Sequence, residues 1–548
     1  VRVVRSVLGV LLALIGLIVG AAGAVAAFWI VGPDNTAYAG EQHLSSKGMA
    51  IATRPDLLDQ HGPTLHVDAR SSNGKPVFVG VARDFDVASY LKGTAHTSLV
   101  QVEYPIALTT QDQKGSSSPL AAPDGLDWWV TKAAGAGTQS IAWPIADGPY
   151  DVVIMSADGK TAPDVQVKLG IEIPNAFLAS LAVLVLGLLL IAGGIFLILG
   201  RRRRPVAPAP VVAEGYAPPQ HQTPVGPLRR VVAVTAVLAL VSGCSAIPKS
   251  DTVDALTRPA VTDDAAVALI KHYNEINNKA NSTRSNTLIA TVEGGALLRQ
   301  DLADYTIDRA GKAEPIRAFT YTSPVIGAPT FGSYPMRFVS SAGITGNKEY
   351  RHLGLWERET AGSPWLMTFS AGPKATAKLP DLAGLRSVSK ADGATLAAAP
   401  QVAANNLAAY LTGGAKSSHA AAFTPNADLS QLLAGIAKAK AEMAKQPAVF
   451  GKVTNAFTAE PSSAFMTKSG SALAFVTLTD RYSVLAGAGY QLGWGQAPET
   501  AFSPSAVKYQ GALTKTTLHD AVLVIPPKGK GKIQILTFES QIVDAGGY

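Results

Sequence analysis

Cysteine is almost missing: Cys244 is the only one in 548 residues. That excludes an intramolecular disulfide and any zinc site built from several cysteines, so stability must come from ordinary cores. Catalytic signatures are equally scarce. There is no GxSxG and no Gly-rich GK[ST] loop. Ser387-Val388-Ser389-Lys390 fits SxxK, but the companion motifs are missing and the stretch reads as a linker. His61 and His66 with Asp68 have no standard metal-ligand spacing and read as loop histidines. The expectation is therefore a non-enzymatic chain with no catalytic residue, no cofactor and no metal.

A strong charge of one sign is also lacking wherever a fold could use it. The net charge is +7, yet residues 33–173 carry 10 Lys/Arg against 16 Asp/Glu and residues 245–548 carry 29 against 23. These two portions cancel. The excess lies in Arg2, Arg5, Arg201 to Arg204, Arg229 and Arg230, opposed only by Glu214. All eight arginines flank apolar runs, the pattern of membrane topology and not of nucleic-acid binding.

What the sequence does have is long apolar runs. Val7 to Gly32 is 26 residues without a charge, and Ala176 to Gly200 is 25. At 1.5 Å per residue each spans the roughly 30 Å hydrocarbon core of a bilayer. Residues 7–32 and 176–200 are thus expected as transmembrane helices. In the first, Gly16 and Gly20 form a GxxxG pair suited to helix packing. The positive-inside rule places Arg2/Arg5 and Arg201 to Arg204 in the cytoplasm and residues 33–173 outside.

Residues 33–173 read as an all-β sandwich. Leu65 to Arg70, Val77 to Ala82, Ser140 to Ile145, Tyr150 to Ala157 and Val165 to Ile173 have strand composition. Asn73-Gly74 predicts a tight strand-turn-strand hairpin between the first two, and Asp147-Gly148 and Asp158-Gly159 further turns. Asp86 to Leu91 predicts a short helical turn. PVFVGVARDFDVASYLKG and WPIADGPYDVVIMSADG resemble segments of actinobacterial membrane proteins of unknown function, in which two transmembrane helices flank a β-rich outer domain. The resemblance implies the same layout here and no catalytic residues.

A cytoplasmic Arg/Pro-rich linker, 201–230, follows, with seven prolines between Pro205 and Pro227. Segment 231–247 then has two readings. Arg229-Arg230, the apolar Val231 to Val241 and Val241-Ser242-Gly243-Cys244 resemble the signal and lipobox of a bacterial lipoprotein, which implies lipidation of Cys244 and cleavage before it. The other reading is a third transmembrane helix, since 17 residues just suffice to span. Both put residues 245–548 outside.

Those residues divide near Pro373 to Pro400 into 248–385 and 398–548, each starting helical and turning to strands. Thr262 caps a helix carrying Ala266, Leu269, Ile270, Tyr273 and Ile276 on one face. Gln401 to Leu411 and Asp428 to Gln446 open the second half. Arg337 to Ser340 parallels Ala474 to Thr477, and a hairpin Tyr350 to Ser370 parallels Thr516 to Ser540. This order of elements resembles a tandem of NTF2-like or cystatin-like α+β domains, which implies a fold and no activity.

Two candidate surfaces remain. Lys528, Lys530 and Lys532 alternate with glycines at a hairpin tip and are positioned for anionic lipid or wall polymer. Trp128, Trp129 and Trp143 are candidates for an aromatic platform taking a glycan or partner. The whole reads as a multi-domain protein of the cell membrane, with membrane lipid and other envelope proteins or wall polymers as partners and no nucleic acid. Its outer modules act in binding or assembly. The alternative is an envelope lipoprotein whose NTF2-like pockets bind a small ligand or carry an enzymatic activity.

Overall fold

In a computed structural model the chain is described over residues 2–58, 62–103, 107–199 and 256–548. The linker, segment 231–247 and Cys244 lie outside these residues, as does His61. The chain divides into two compact units, Val1–Leu256 and Thr257–Tyr548.

Both apolar runs of the first unit are helical. α1 spans Arg2–Val25 and continues as a π-helical stretch, Ala26–Val31; α3 spans Ala176–Leu199. Both are long and apolar enough to cross a membrane. They pack antiparallel on their glycines. A Cβ on Gly187 would stand 2.3 Å from the backbone nitrogen of Gly20, and one on Gly16 would stand 2.7 Å from the Gly187 carbonyl oxygen. Only glycine lets the two backbones approach so closely. The outward faces carry large apolar side chains, Leu17, Leu178, Leu189 and Phe196 among them, all more than half exposed.

Between the helices lie two sheets packed as a sandwich. The first contains β1 (Thr36–Tyr38), β2 (Gln42–Ser45), β4 (Thr64–Ser71), β9 (Thr138–Pro144) and β11 (Asp164–Glu172). The second has the order β7 (Ala107–Gln113), β6 (His96–Glu103), β3 (Ala50–Thr53), β10 (Tyr150–Ser156), β5 (Val77–Arg83), β8 (Thr131–Gly135). Val67, Ile141 and Val165 from one sheet meet Val79, Val81 and Ile154 from the other. The turns behave differently from expectation. β4 and β5, on either side of Asn73-Gly74, are not a hairpin: β4 pairs with β9 and β11, whereas β5 pairs with β8 and β10. The turns at Asp147-Gly148 and Asp158-Gly159 likewise carry the chain from sheet to sheet. The burial pattern explains this, because β5 and β10 are buried on both faces. One face meets the first sheet; α2 (Asp84–Tyr90) and the Trp128-Trp129 segment cover the other, with Phe78 against Trp129 at 4.7 Å.

The second unit is α+β and internally repeated. Its first half runs β12 (Arg258–Pro259), α4 (Asp263–Thr283), α5 (Asn286–Ile289), α6 (Gly295–Gly311), β13 (Tyr321–Gly327), β14 (Thr330–Phe331), β15 (Met336–Ile344), β16 (Asn347–Arg358), β17 (Leu366–Ala371). The second runs β18 (Arg386–Ser387), α7 (Lys390–Thr395), α8 (Pro400–Gly413), α9 (Ala427–Ala444), β19 (Phe450–Ala459), β20 (Ser463–Met466), β21 (Ala472–Ala486), β22 (Ala512–Ile525), β23 (Gln534–Gly547). The sheet order β13-β15-β16-β17 is matched by the pairing β19-β21-β22-β23 within the second half's six-stranded sheet; β12–β14 is a separate two-stranded sheet, whereas β18–β20 joins the larger sheet through β21. Thr262 caps α4 through the Ala265 amide. The halves share a core, in which Val339, Leu355 and Phe369 pack with Phe465, Phe475 and Val522. They are therefore parts of one unit.

Candidate functional site

Polar groups concentrate around α6. Just before it, Glu293 makes a parallel bridge to Met367 at the start of β17, which carries its carboxyl into the interior, 1% exposed. Tyr273 of α4 donates its hydroxyl to Glu293 Oε1 at 2.7 Å. Asp301 of α6 hydrogen-bonds the same carboxyl. Burial raises both acids, Asp301 to about 6, and the charge of Asp301 raises Glu293 further. Burial, then the Glu293 charge, also raises the Tyr273 phenol.

A second layer lies beside this pair. Tyr321 of β13 is fixed through its backbone by Asn274, at 3.0 and 3.2 Å. Its ring stacks on His352 at 3.6 Å. His352 is 2% exposed, and neither ring nitrogen has a hydrogen-bond partner among the described residues. Burial pulls it down to about 3, so it is neutral. Tyr305 of α6 donates to Asn281, which donates to Asn277 at 3.1 Å. The cluster thus holds hydroxyl and carboxyl protons suited to an oxygen-bearing ligand, but the Tyr273–Glu293–Asp301 groups are engaged with one another.

The repeat supplies an internal comparison. In the second half Phe423 makes the matching parallel bridge, to Ile533, before α9. There the tyrosine of the preceding helix, Tyr410, stacks on Phe423 at 6.1 Å. Leu407, Leu411, Leu429 and Phe457 pack around them, and His519, 1% exposed, lies against Phe457 and Phe538 at 5.3 and 5.4 Å. One fold position is occupied by a carboxyl in one half and by a phenyl ring in the other.

The start of α6, Gly294 to Ala296, also walls a cleft of about 430 Å³ between the halves. Leu355, Phe369 and Phe475 line it below, and Glu357, Glu359 and Glu460 stand around it. Glu357 is paired with Arg337. Glu460 accepts from Arg299 of α6 at 2.6 and 2.8 Å and from Thr479 at 3.0 Å. Glu359 is exposed. On the next residue of α6, Gln300 hydrogen-bonds Asp520, which accepts from Thr477 at 2.6 Å and is raised by burial to about 6. α6 therefore touches three things: the cleft at its start, the acid pair beneath, and the second half alongside.

The residues anticipated from sequence fall elsewhere. Lys528, Lys530 and Lys532 are exposed in the turn between β22 and β23. Trp128 and Trp143 are buried, at 2% and 4% exposure. Trp128 stacks with Trp129 and Tyr90, and Trp143 packs on Tyr150 in the sandwich core, so the three rings do not form one face. His66 pairs with Glu172 at 2.8 Å. Among the described residues no group of three or more His, Cys, Asp or Glu is arranged to hold a metal. Ser387 is in β18 while Lys390 opens α7, so the two are not a helical turn apart. Sequence reasoning passed over Glu293, Asp301 and His352. One signal was available: a lone glutamate between the apolar Ile289-Ala290-Thr291-Val292 and Gly294-Gly295.

A family model described as a domain of unknown function (DUF8094) matches residues 257–547. These limits coincide with the second compact unit. No curated protein and no solved structure matches the chain.

Proposed function

The chain belongs to the DUF8094 family, and from its own geometry we propose that it is a membrane-anchored, non-enzymatic binding or assembly protein of the cell envelope. Its recognition site is the cleft between the two α+β halves. The observation that carries this reading is that the cleft, about 430 Å³, is open and built from both halves, whereas Tyr273, Glu293 and Asp301 are buried against one another beneath α6. Its exposed Glu359 and apolar floor suit a basic, partly apolar segment of a partner protein, Glu357 and Glu460 being held by Arg337 and Arg299.

Anchoring is supported by α1 and α3. Their glycines are consumed by mutual packing while Leu17, Leu178, Leu189 and Phe196 face outward, a distribution that suits lipid and not water. Phe28 and Trp29, 67% and 88% exposed at one end of the pair, suit the headgroup level. The arginine distribution places residues 33–173 and 245–548 on the extracytoplasmic side. Lipidation of Cys244 or a third span would hold the second unit there.

A photo-crosslinking residue placed at Pro364, at the cleft, and separately at Lys438, on the exposed side of α9, tests the recognition site in native membranes. A discrete adduct from position 364, weakened by Glu359→Gln and absent from 438, is expected. Equal labelling from both, or none from 364, refutes the cleft. Release of the full chain by alkaline carbonate refutes the anchoring.

A second reading is favoured by one observation, the carboxyl at Glu293 where the repeat has Phe423. On that reading the interior of the first half opens to admit a small ligand with an oxygen acceptor.

A further inference from the structure

Five exposed lysines from three separate segments meet at the end of the second unit where the chain comes in. β12 pairs Arg258 with Phe331. Phe331, Ser387, Val388 and Lys390 together line a second cleft, of about 600 Å³. Lys390 opens α7, and the last residue of α7, Thr395, accepts from the Lys528 amide at 2.8 Å. Leu396 bridges Pro527, which seats the β22–β23 tip against the end of that helix. The turn 467–471 adjoins the same tip, since a Cβ on Gly470 would stand 3.8 Å from Pro527, and Lys468 extends from this turn over Gly384. Within the tip, Gly529 and Gly531 have φ of 78° and 118°, conformations that a lysine adopts poorly. The alternating sequence KGKGK therefore turns twice while offering Lys528, Lys530 and Lys532 to solvent.

The acids at this end do not cancel the lysines. Both Asp392 oxygens are taken by Arg386, at 2.6 Å each, and one of them by Ser389 as well. Asp381, which accepts from the Ala383 amide at 2.9 Å, sets one negative charge against the five lysines. The result is a basic surface next to an amphipathic cleft with phenyl rings of Phe331 and Phe465 inside and Lys390 and Ser387 at its polar side.

We propose that this basic end docks on the anionic phospholipid headgroups of the membrane that anchors the chain. The inference rests on the anchoring reading above. Nine residues lie between Ile247 and Thr257, so Arg258 is at most about 40 Å along the chain from Ile247 and about 50 Å from Cys244. Whether the apolar segment spans or Cys244 is lipidated, Arg258 is held within that reach of the bilayer, and the lysines lie on the Arg258 end. Each lysine near an anionic surface is worth on the order of fivefold in association, and the effect is confined to about a Debye length.

The test uses the full chain in lipid nanodiscs, either neutral phosphatidylcholine or phosphatidylcholine with about a third phosphatidylglycerol. Hydrogen exchange is followed at 390–395, 467–471 and 526–533, with α9 as the internal reference. Protection of the three segments in anionic discs only, reversed by 0.5 M salt, is expected. The variant with all five lysines changed to serine should lose it, while α9 exchanges as in the wild type. Equal exchange in neutral and anionic discs overturns the proposal and leaves the anchoring intact. Failure of the chain to stay with the discs overturns both. Protection in neutral discs on adding soluble poly(glycerol phosphate), with none from anionic lipid, reassigns the surface to a wall polymer and overturns the lipid docking.

Discussion

Asp151 offers the sharpest quantitative test of the first unit. It lies on β10, 3% exposed, with Asp84 beside it and the Thr53 hydroxyl donating to its carboxylate at 3.4 Å. Burial first, then the charge and hydrogen bond of Asp84, raises it to about 8. Between about pH 4 and pH 8 the native state therefore retains a proton that the unfolded chain has released. A raised acid makes its contribution in full below the unfolded value, near 4, and loses it as pH rises through the folded one. The slope is about −1.4 kcal/mol per pH unit, which accumulates to roughly 4 kcal/mol between pH 5 and pH 8. Asp151→Asn keeps the shape, donates to Asp84, and carries no proton to lose. In the full chain in detergent, hydrogen exchange of the β10 amides, corrected for intrinsic rates, should show the opening free energy of the wild type falling by about 3 to 4 kcal/mol over this range. In the variant the fall should be under about 1 kcal/mol. Parallel pH profiles for the two proteins would refute the assignment of the proton to Asp151.

Four further outcomes are expected. Glu293→Gln, which can still accept from Tyr273 and donate to Asp301, should match or exceed wild-type stability above pH 6, whereas Glu293→Ala should cost about 3 kcal/mol or more in denaturant unfolding. Phe369→Ala should cost about 3 to 5 kcal/mol and leave the two halves unfolding in one calorimetric transition, because Phe369 packs on Phe475 across the shared core. His352→Phe should raise stability by about 1 to 2 kcal/mol at neutral pH. The gain should grow as pH falls below 6.5, where the unfolded histidine takes up a proton that the buried one, held near 3, refuses. Gly187→Val should separate α1 from α3, since its Cβ would meet the Gly20 nitrogen at 2.3 Å, and should lower thermal stability in detergent while leaving exchange in the second unit unchanged.

Legibility in the sequence followed the range of the interaction. Apolar runs set the length of α1 and α3 within a few residues, and a cap at Thr262 set the start of α4, because both signals are local. Alternation found β4, β9 and β11, but turn chemistry did not reveal what a strand paired with. Asn73-Gly74 reads as a hairpin turn, yet whether it closes a hairpin or rounds the edge of a sandwich depends on the partners offered by β9, β10 and β11. α6 escaped notice for a different reason. Its Arg299, Gln300 and Asp301 are spent on Glu460, Asp520 and Glu293, so polar residues occupy contact faces and no clean apolar stripe remains. The Tyr273–Glu293 and Tyr321–His352 contacts bridge 20 and 31 residues and are tertiary facts with no local signature.

The repeat turns this illegible cluster into a statement about selection. A buried acid pair with a tyrosine and an unpartnered histidine costs stability relative to a packed apolar core, commonly by several kcal/mol for removing charge from water. The histidine recurs in the second half, where His519 on β22 is 1% exposed with Nε2 unpartnered among the described residues, but the acid at Glu293 does not. The second half has the matching pairing β19-β21-β22-β23 and the same bridge into its last helix, and it fills the position with Phe423 beneath Tyr410. The fold thus stands without Glu293. What the first half gains is a helix whose seat is sensitive to protonation and whose opening residues form the wall of the cleft. The second half holds α6 through polar contacts, Glu460 to Arg299 and Asp520 to Gln300, and both halves wall the cleft.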